Sequence, residues 1–320
     1  MVRYRLRNYS QMVAGLSQHQ ILHIQKTFRE KCSSGPIAIN TNEANQQHYE
    51  VPIEFFTHVL SKHMKYSGSI WNQQMSLEDS DKTTLDCYID RARMSDGSKV
   101  LELGAGWGSL SLHIAQKYNK TQVTTVTNSH LQKIYISKKI REMNLNNITV
   151  VQSDINNYTT DAHFDTIFSI EMFEHLRNPA ALLRKTRRWL NPGGKLFIQV
   201  FSHSQYPQFF DNPRSSWMSR HFFTGGMMPY VGFYSDICDS LKTDRQWIIS
   251  GTHYHNTLEG WLHKLDCNSN ELLSSLQEVW PRTPSKIYIN RYRMFLLICS
   301  EMFRFNQGQD WHTMHYLFQK

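Results

Sequence analysis

Cysteine is scarce in this chain of 320 residues. There are five, Cys32, Cys87, Cys238, Cys267 and Cys299. The number is odd and no two lie close together, which argues against a zinc ribbon and against a disulfide framework. A reducing, intracellular setting is expected, and with it a cytoplasmic location. No run of about 18 apolar residues occurs, so no transmembrane segment is expected. The opening "MVRYRLRNYSQMV" has no apolar core of signal-peptide length. Internal repeats and low-complexity linkers are also missing. Acidic residues are the minority: 27 Asp and Glu face 35 Lys and Arg, for a formal net charge of +8. That balance suits an anionic partner such as a phospholipid head group without setting a fold. The basic residues are scattered, and their densest cluster, "RKTRRWL" at 184–190, reads as the end of an amphipathic helix. With no clustered basic stripe and no target-recognition module, a nucleic-acid partner is not expected.

What is present can build a sizeable core: 40% of the residues are hydrophobic and 12% aromatic. Residues 1–50 read as a polar, helical arm with loops at "CSSGP" and "TNEANQQ". Next come a helix at "VPIEFFTHVLS", a loop at "MKYSGSIWN" and a helix at "SLEDSDKTTLDCYIDRARM". Ser76, three residues before Asp79, marks the start of that second helix. From Lys99 the pattern alternates. "KVLELGAG", "QVTTVTNS", "ITVVQSD", "FDTIFSIE" and "KLFIQVFS" read as apolar strands. Between them lie helical segments, among them "SLSLHIAQKY", "HLQKIYISKKIREMNL" and "NPAALLRKTRRWLNPGG", the last stopped by Pro-Gly-Gly. This alternation predicts an α/β fold with a Rossmann-like, doubly wound and mostly parallel sheet over residues 51–202. Residues 203–232 are loop-rich and dense in aromatics, as a substrate cover at the carboxyl edge of a sheet would be. In the remainder, "FYSDICDSL", "TLEGWLHKL", "SNELLSSLQEVW" and "RYRMFLLICSEMFRF" read as helices. "RQWIISGTHY" and "WHTMHYLFQ" read as strands closing the same sheet. Residues 203–320 thus form the cover plus the C-terminal helices and strands.

"LELGAGWGSL" follows a strand and opens a helix. Gly104, Gly106 and Gly108 permit a tight turn and a close approach to a ligand. The spacing is G-x-G-x-G, whereas a dinucleotide fingerprint needs G-x-G-x-x-G and position 109 is Ser109. Glu102 before the glycines would repel a pyrophosphate and suits a cationic ligand or a supporting hydrogen-bond network. The pattern resembles the S-adenosylmethionine loop of Rossmann-like methyltransferases. At the end of the second strand, where a ribose-binding group is expected, stand Asn128 and Gln132. At the end of the third, Asp154 is a candidate acceptor for an adenine amino group, with Ile155 against the ring. The alternative for Asp154 is a helix cap.

"SIEMFEHL" places Glu171, Glu174 and His175 where the fourth strand gives way to a helix. On a helix, positions i, i+3 and i+4 share a face. Three readings compete: a metal site, a solvated helix face, and an acid/base apparatus. No H-E-x-x-H or cysteine cluster supports a metal, and none is expected. The acid/base reading has a chemical reason. An amine attacks a methyl group only as the free base, and His175, titrating near neutrality, suits removal of its proton. Glu171 would steady the imidazolium at i,i+4 spacing. Phe201, Tyr206, Trp217, Phe222, Phe223, Tyr230, Trp311 and Tyr316 are candidate pocket walls. Cation–π attraction to a methylated ammonium is worth up to about 2 kcal/mol when desolvated. Core packing is the alternative for each. His203, His253 and His255 read as structural or exposed.

Taken together, "YSGSIW", "LELGAGWGSLSL", "TNSHLQ", "SIEMFEHLRN", "RHFFTGGMMP" and "QDWHTMHYLF" resemble the cyclopropane fatty acid synthase superfamily over residues 46–320. They look closest to its coclaurine N-methyltransferase arm. The resemblance implies S-adenosyl-L-methionine as cofactor, with contacts at Ser67, Gly104, Asn128, Gln132, Asp154, Ile155 and Ile170. Glu102 and Gly106 are grouped with these. It implies catalytic duty for Glu171, Glu174 and His175, and places Tyr66 with the substrate aromatics. Both arms usually carry Cys at the third position of "YSC", where this chain has Gly68. In the lipid arm that Cys helps form a bicarbonate site, so its loss counts against cyclopropane chemistry. The expected activity is methyl transfer to the amine of a small aromatic, alkaloid-like substrate. The alternatives are a lipid methyltransferase acting on unsaturated phospholipid chains and a non-catalytic cofactor-binding protein. A homodimer is compatible with the sequence, which sets no oligomeric state.

Overall fold

The computed structural model describes residues 2–39, 51–72, 74–211, 216–279, 281 and 284–320. The expected "TNEANQQ" loop lies outside the described residues. Two helices, α1 (Val2–Ala14) and α2 (Gln18–Lys31), open the chain. Ser17 and Gln20 form a reciprocal capping box at the start of α2. Two more helices follow, α3 (Ile53–Val59) and α4 (Leu77–Ala92). Ser76 caps α4 as expected, its hydroxyl accepting from the Asp79 N–H at 3.1 Å.

The strands then alternate with helices: β1 (Lys99–Leu103), α5 (Ser109–Lys117), β2 (Gln122–Thr127), α6 (His130–Glu142), β3 (Ile148–Gln152) and β4 (Phe164–Ile170). Next come a 3-10 turn (Phe173–His175), α7 (Pro179–Trp189) and β5 (Leu190–His203). Pro179 at the first position and an Asn178 cap start α7. The helix ends at Trp189, before Pro-Gly-Gly, and those three residues belong to an irregular start of β5.

The sheet has seven strands in the order β3-β2-β1-β4-β5-β9-β8, with β8 (Lys242–Ser250) and β9 (Trp311–Gln319). β1 to β5 pair in parallel, and β9 runs antiparallel to both β5 and β8. The expected doubly wound, mostly parallel sheet is present. Strand order reverses between β1 and β4, so a crevice opens there at the carboxyl ends of the strands.

The segment after β5 holds the small β6–β7 pair (Gln208–Phe209 with Met227–Met228) and two short helices, α8 (Trp217–His221) and α9 (Phe233–Ile237). Three longer helices follow: α10 (Gly251–Cys267), α11 (Ser269–Val279) and α12 (Ser285–Arg304). The expected strand "RQWIISGTHY" stops at Ser250, whose hydroxyl caps α10, and "GTHY" is helical. With α3, these three helices bury Phe55, Phe56, Trp261, Tyr292 and Leu296 above the carboxyl ends of the strands. Phe28 and Cys32 of α2 pack with sheet residues Leu101 and Ile198. No helix among the described residues is long and apolar enough to cross a membrane.

Candidate active site

One cavity opens at the strand-order reversal. β1 and its loop bring Glu102, Gly104 and Gly106 to its wall. Asn128 and Gln132 come from the end of β2 and the start of α6, and Ile155 from the loop after β3. The end of β4 supplies Ile170, Glu171 and His175, while Tyr66 and Ser67 close the other side. Asp154 is the exception among the expected cofactor contacts. Its Oδ1 accepts from the Asn156 N–H at 2.7 Å within a turn that no helix follows, so it is not a helix cap, and its neighbours Ser153 and Ile155 line the cavity instead.

The wall fits a nucleoside-bearing ligand. Gly104 has φ +81°, and a Cβ there would lie 2.8 Å from the Met172 side chain. The loop therefore needs glycine. Buried polar atoms around it have no hydrogen-bond partner among the described residues: Gln132 Nε2, Ser109 Oγ and Trp107 Nε1. Such atoms call for a polar ligand. The other end of Gln132 is anchored, its Oε1 accepting from Thr127 Oγ1 at 2.6 Å. Glu102 is buried beneath the loop, and burial raises its carboxyl to about 7 against the hydrogen bonds of Ser111 and Thr125.

The acidic turn differs from the expected helix face. Glu171 has φ +49°, so it stands before the 3-10 turn rather than on a helix with His175. Its carboxylate is held elsewhere. Oε1 accepts from the Gly68 N–H at 2.9 Å and from Gln199 Nε2 at 2.8 Å, and Oε2 accepts from Tyr254 Oη at 2.7 Å. The left-handed backbone is what points the side chain at those three donors. Glu174 is fully buried. Its Oε1 accepts from the Phe201 N–H at 2.7 Å, and its Oε2 has no hydrogen-bond partner among the described residues. Burial and the nearby Glu171 charge raise the Glu174 carboxyl well above the usual range. Burial raises Glu171 too, opposed by the Lys65 ammonium and its hydrogen-bond donors. His175 does not titrate near neutrality, because burial pushes its ring down to about 4. At neutral pH the ring is therefore uncharged. The solvated-face reading fails on the burial of Glu174. Among the described residues, no group of three His, Cys, Asp or Glu is placed to hold a metal ion.

The expected aromatic pocket divides. Tyr66 lines the cavity and its hydroxyl meets that of Tyr292. Phe223 lies edge-on to His175 at 4.9 Å and packs on Phe201, and Trp217 packs on Phe222; none of these four expected pocket residues lines the cavity itself. Trp311 is not at the cavity but stacks on Tyr9 and meets His203 edge-on. Tyr316 is a core residue, its hydroxyl accepting from the Gly232 N–H and its ring packed on Phe318 and Tyr234. Tyr206 packs on Tyr9, and Tyr230 bonds Arg29 and Asp236.

Sequence reasoning missed the supports of Glu171. Lys65 is buried; its Nζ donates to Ser67 O, Ser67 Oγ and Gly68 O at 3.1, 2.9 and 2.6 Å. Burial lowers it to about 8 against the pull of Asp81 and Glu171. Tyr254 and Gln199 were also missed. The one available signal was Gln199 itself, a polar residue inside the apolar strand "KLFIQVFS". Gly68 has a steric reason: a Cβ there would lie 2.9 Å from ring carbons of Tyr254. The room a thiol at that position needs is taken by the ring that holds Glu171. A Gly68→Ala chain should push Tyr254 off the carboxylate and lose methyl transfer by roughly tenfold, about one hydrogen bond to a charged group. Cofactor binding should persist in calorimetry. An unchanged rate would remove Tyr254 from the account.

The family model described as mycolic acid cyclopropane synthetase matches residues 38–313. (S)-Coclaurine N-methyltransferase of Thalictrum flavum subsp. glaucum is 33% identical over 307 residues, which cover 94% of this chain and 84% of that protein. The cyclopropane-fatty-acyl-phospholipid synthase of Escherichia coli (strain K12) is 22% identical over 271 residues, covering 84% and 66%. A crystal structure of coclaurine N-methyltransferase bound to N-methylheliamine and SAH matches with a TM-score of 0.95 at 31% identity, over 100% of this chain and 93% of that one. The cyclopropane synthase MmaA2 from Mycobacterium tuberculosis, at 20% identity and a TM-score of 0.75 over 88% and 99%, shares the fold. Because the match spans both the glycine loop and the acidic turn, the chain belongs to the mycolic acid cyclopropane synthetase family and is an S-adenosylmethionine-dependent methyltransferase.

Proposed function

We propose that this enzyme methylates the nitrogen of a small aromatic, alkaloid-like amine, with Glu171, Glu174 and His175 as its acid–base and cation-binding groups. The observation that carries this reading is that Glu171 and His175 line the same cavity as the glycine loop. The relatives of greatest similarity named above act on such amines, which supports the same substrate class. The cofactor supplies a methyl group activated by its bond to a positively charged sulfur. Gly104, Gly106, Asn128, Gln132 and Ile155 are the residues that would hold it. Glu171 offers negative charge at the cavity wall and favours a cationic or developing-cationic nitrogen. His175, uncharged at neutral pH, takes the proton that the nitrogen must lose on becoming the methylated free base. Glu174 lies under the turn and shares its charge with Glu171, which keeps one negative charge rather than two on this turn. Phe223, edge-on to His175 and packed on Phe201, is an aromatic neighbour of the turn against which an aromatic substrate would pack.

Incubation with methyl-labelled cofactor tests the proposal against its nearest rival. With a panel of aromatic secondary amines and liposomes of unsaturated phospholipid in the same assay, label is expected in the amine fraction. Label in the lipid fraction would replace this reading with lipid methylation. No transfer to either, with cofactor still bound, would make the protein a binding module.

A further inference from the structure

Four strands line up one row of residues across the sheet. Trp247 of β8 pairs with His315 of β9, and His315 pairs with Gln199 of β5. On the far side Gln199 lies opposite Ile170 of β4, and the Glu171 N–H donates to Gln199 O at 2.8 Å. The side chains follow the same row. Arg91 Nη1 of α4 is 2.6 Å from His315 Nδ1, His315 Nε2 is 2.7 Å from Gln199 Oε1, and Gln199 Nε2 is 2.8 Å from Glu171 Oε1. Gln199 is 1% exposed and His315 fully buried.

Every link in this chain has a fixed direction. A guanidinium only donates, so His315 Nδ1 accepts and the ring proton sits on Nε2. Gln199 Nε2 also donates to Gly68 O at 3.1 Å, which sets the amide's orientation. Its Oε1 therefore accepts from His315 and, at 2.7 Å, from Tyr88 Oη. Nothing on the path is left to choose between two arrangements. The row starts at a cation on the sheet's rim, where Arg91 lies over the Trp247 ring at 4.8 Å, and ends on the carboxylate facing the cavity.

We propose that Arg91, His315 and Gln199 are positioning residues that carry the guanidinium's polarisation through the sheet to Glu171 and hold it as an acceptor-only carboxylate. This rests on Glu171 being the active-site carboxylate, yet the relay is testable with no methyl acceptor present. Aligned donors strengthen one another in a low-dielectric interior. Other groups also face Glu171: Lys65 before Tyr66, Tyr254 of α10, Tyr88 of α4, and Glu174 and His175 on the turn. His315 faces Arg91, Lys65, Tyr88 and Phe197. All but Arg91 are unchanged in the variants below, so a shift in Glu171 reports on Arg91.

Infrared difference titration of the full chain reads the Glu171 carboxylate band, with Glu171→Gln identifying it. Nitrogen-15 NMR reads the His315 tautomer. Arg91→Met removes donor and charge, Arg91→Gln keeps a neutral donor, and Arg91→Lys keeps both. Ionisation of Glu171 is expected to move up by roughly half a pH unit in Arg91→Met, less in Arg91→Gln, and to stay near the parent in Arg91→Lys. His315 is expected to carry its proton on Nε2 in the parent. Were Arg91→Met not to fold, the order of Arg91→Gln above Arg91→Lys decides the matter. Equal titration in the variants and the parent, or a parent His315 protonated on Nδ1, overturns the relay. Failure of the amine assay leaves this result untouched, since no substrate enters it.

Discussion

Lys65→Met is expected to lower stability by about 3–5 kcal/mol, the penalty for removing one partner of a buried ionic cluster. Lys65 is 2% exposed, and its ammonium is the cation between Asp81 and Glu171. Asp81 is fully buried and is held by Ser61 and Ser69 at 2.5 Å each. A methionine fills the volume but removes the ammonium charge that acts on both carboxylates, and leaves Ser67 O and Gly68 O without their ammonium donor. For a chain this long the loss corresponds to a fall in Tm of roughly 2 °C per kcal/mol. Thermal and denaturant unfolding check it. Asp81→Asn in the same chain should recover part of the loss, because it removes one stranded charge. A Lys65→Met protein as stable as the parent would mean that the cluster is not ionic in the folded state.

His175→Ala is expected to cut turnover by at least about tenfold, the usual share of a positioned base, while cofactor binding persists. Steady-state kinetics with calorimetry on the same preparation separates the two. Retained turnover would remove His175 from the chemistry. The substitution also has a signature in stability. In the fold the ring stays uncharged down to about pH 4, whereas an unfolded ring takes up a proton near its ordinary 6.5. Between those values the unfolded state binds more protons, so stability falls as pH drops through that window. The His175→Ala chain should lose less stability on acidification over that range, as pH-dependent denaturation would record. An identical acid profile would contradict the burial of the ring.

The strand–helix alternation was legible because buried parallel strands are rich in apolar and β-branched residues, as Val100, Leu101, Val123, Val126, Ile167 and Phe168 show. The glycine loop was legible because a close backbone approach leaves glycine as a visible signature at Gly104. The local cap at Ser76 was equally readable. The acidic turn was found but its geometry was not. Periodicity assumes a continuing helix, whereas Glu171 has a left-handed backbone and its side chain meets three donors that lie 103, 28 and 83 residues away in sequence. Tyr316 was misplaced for a related reason: an aromatic on the closing strand looks the same whether it faces a pocket or the core. Lys65 carried no signal, since a lone lysine before an aromatic reads as surface until its three acceptors are known.

β9 has a consequence for how the molecule assembles. It follows every other strand in chain order, yet it occupies an interior place between β5 and β8. Its partner β5 precedes it by more than a hundred residues. Closing so long a loop is entropically slow. Until 311–319 arrive, a nascent chain presents β5 as a bare edge with unpaired amides and carbonyls, a template for aggregation. Any circular permutant opened in the connection before Trp311 would shift that vulnerable interval to a different point in synthesis.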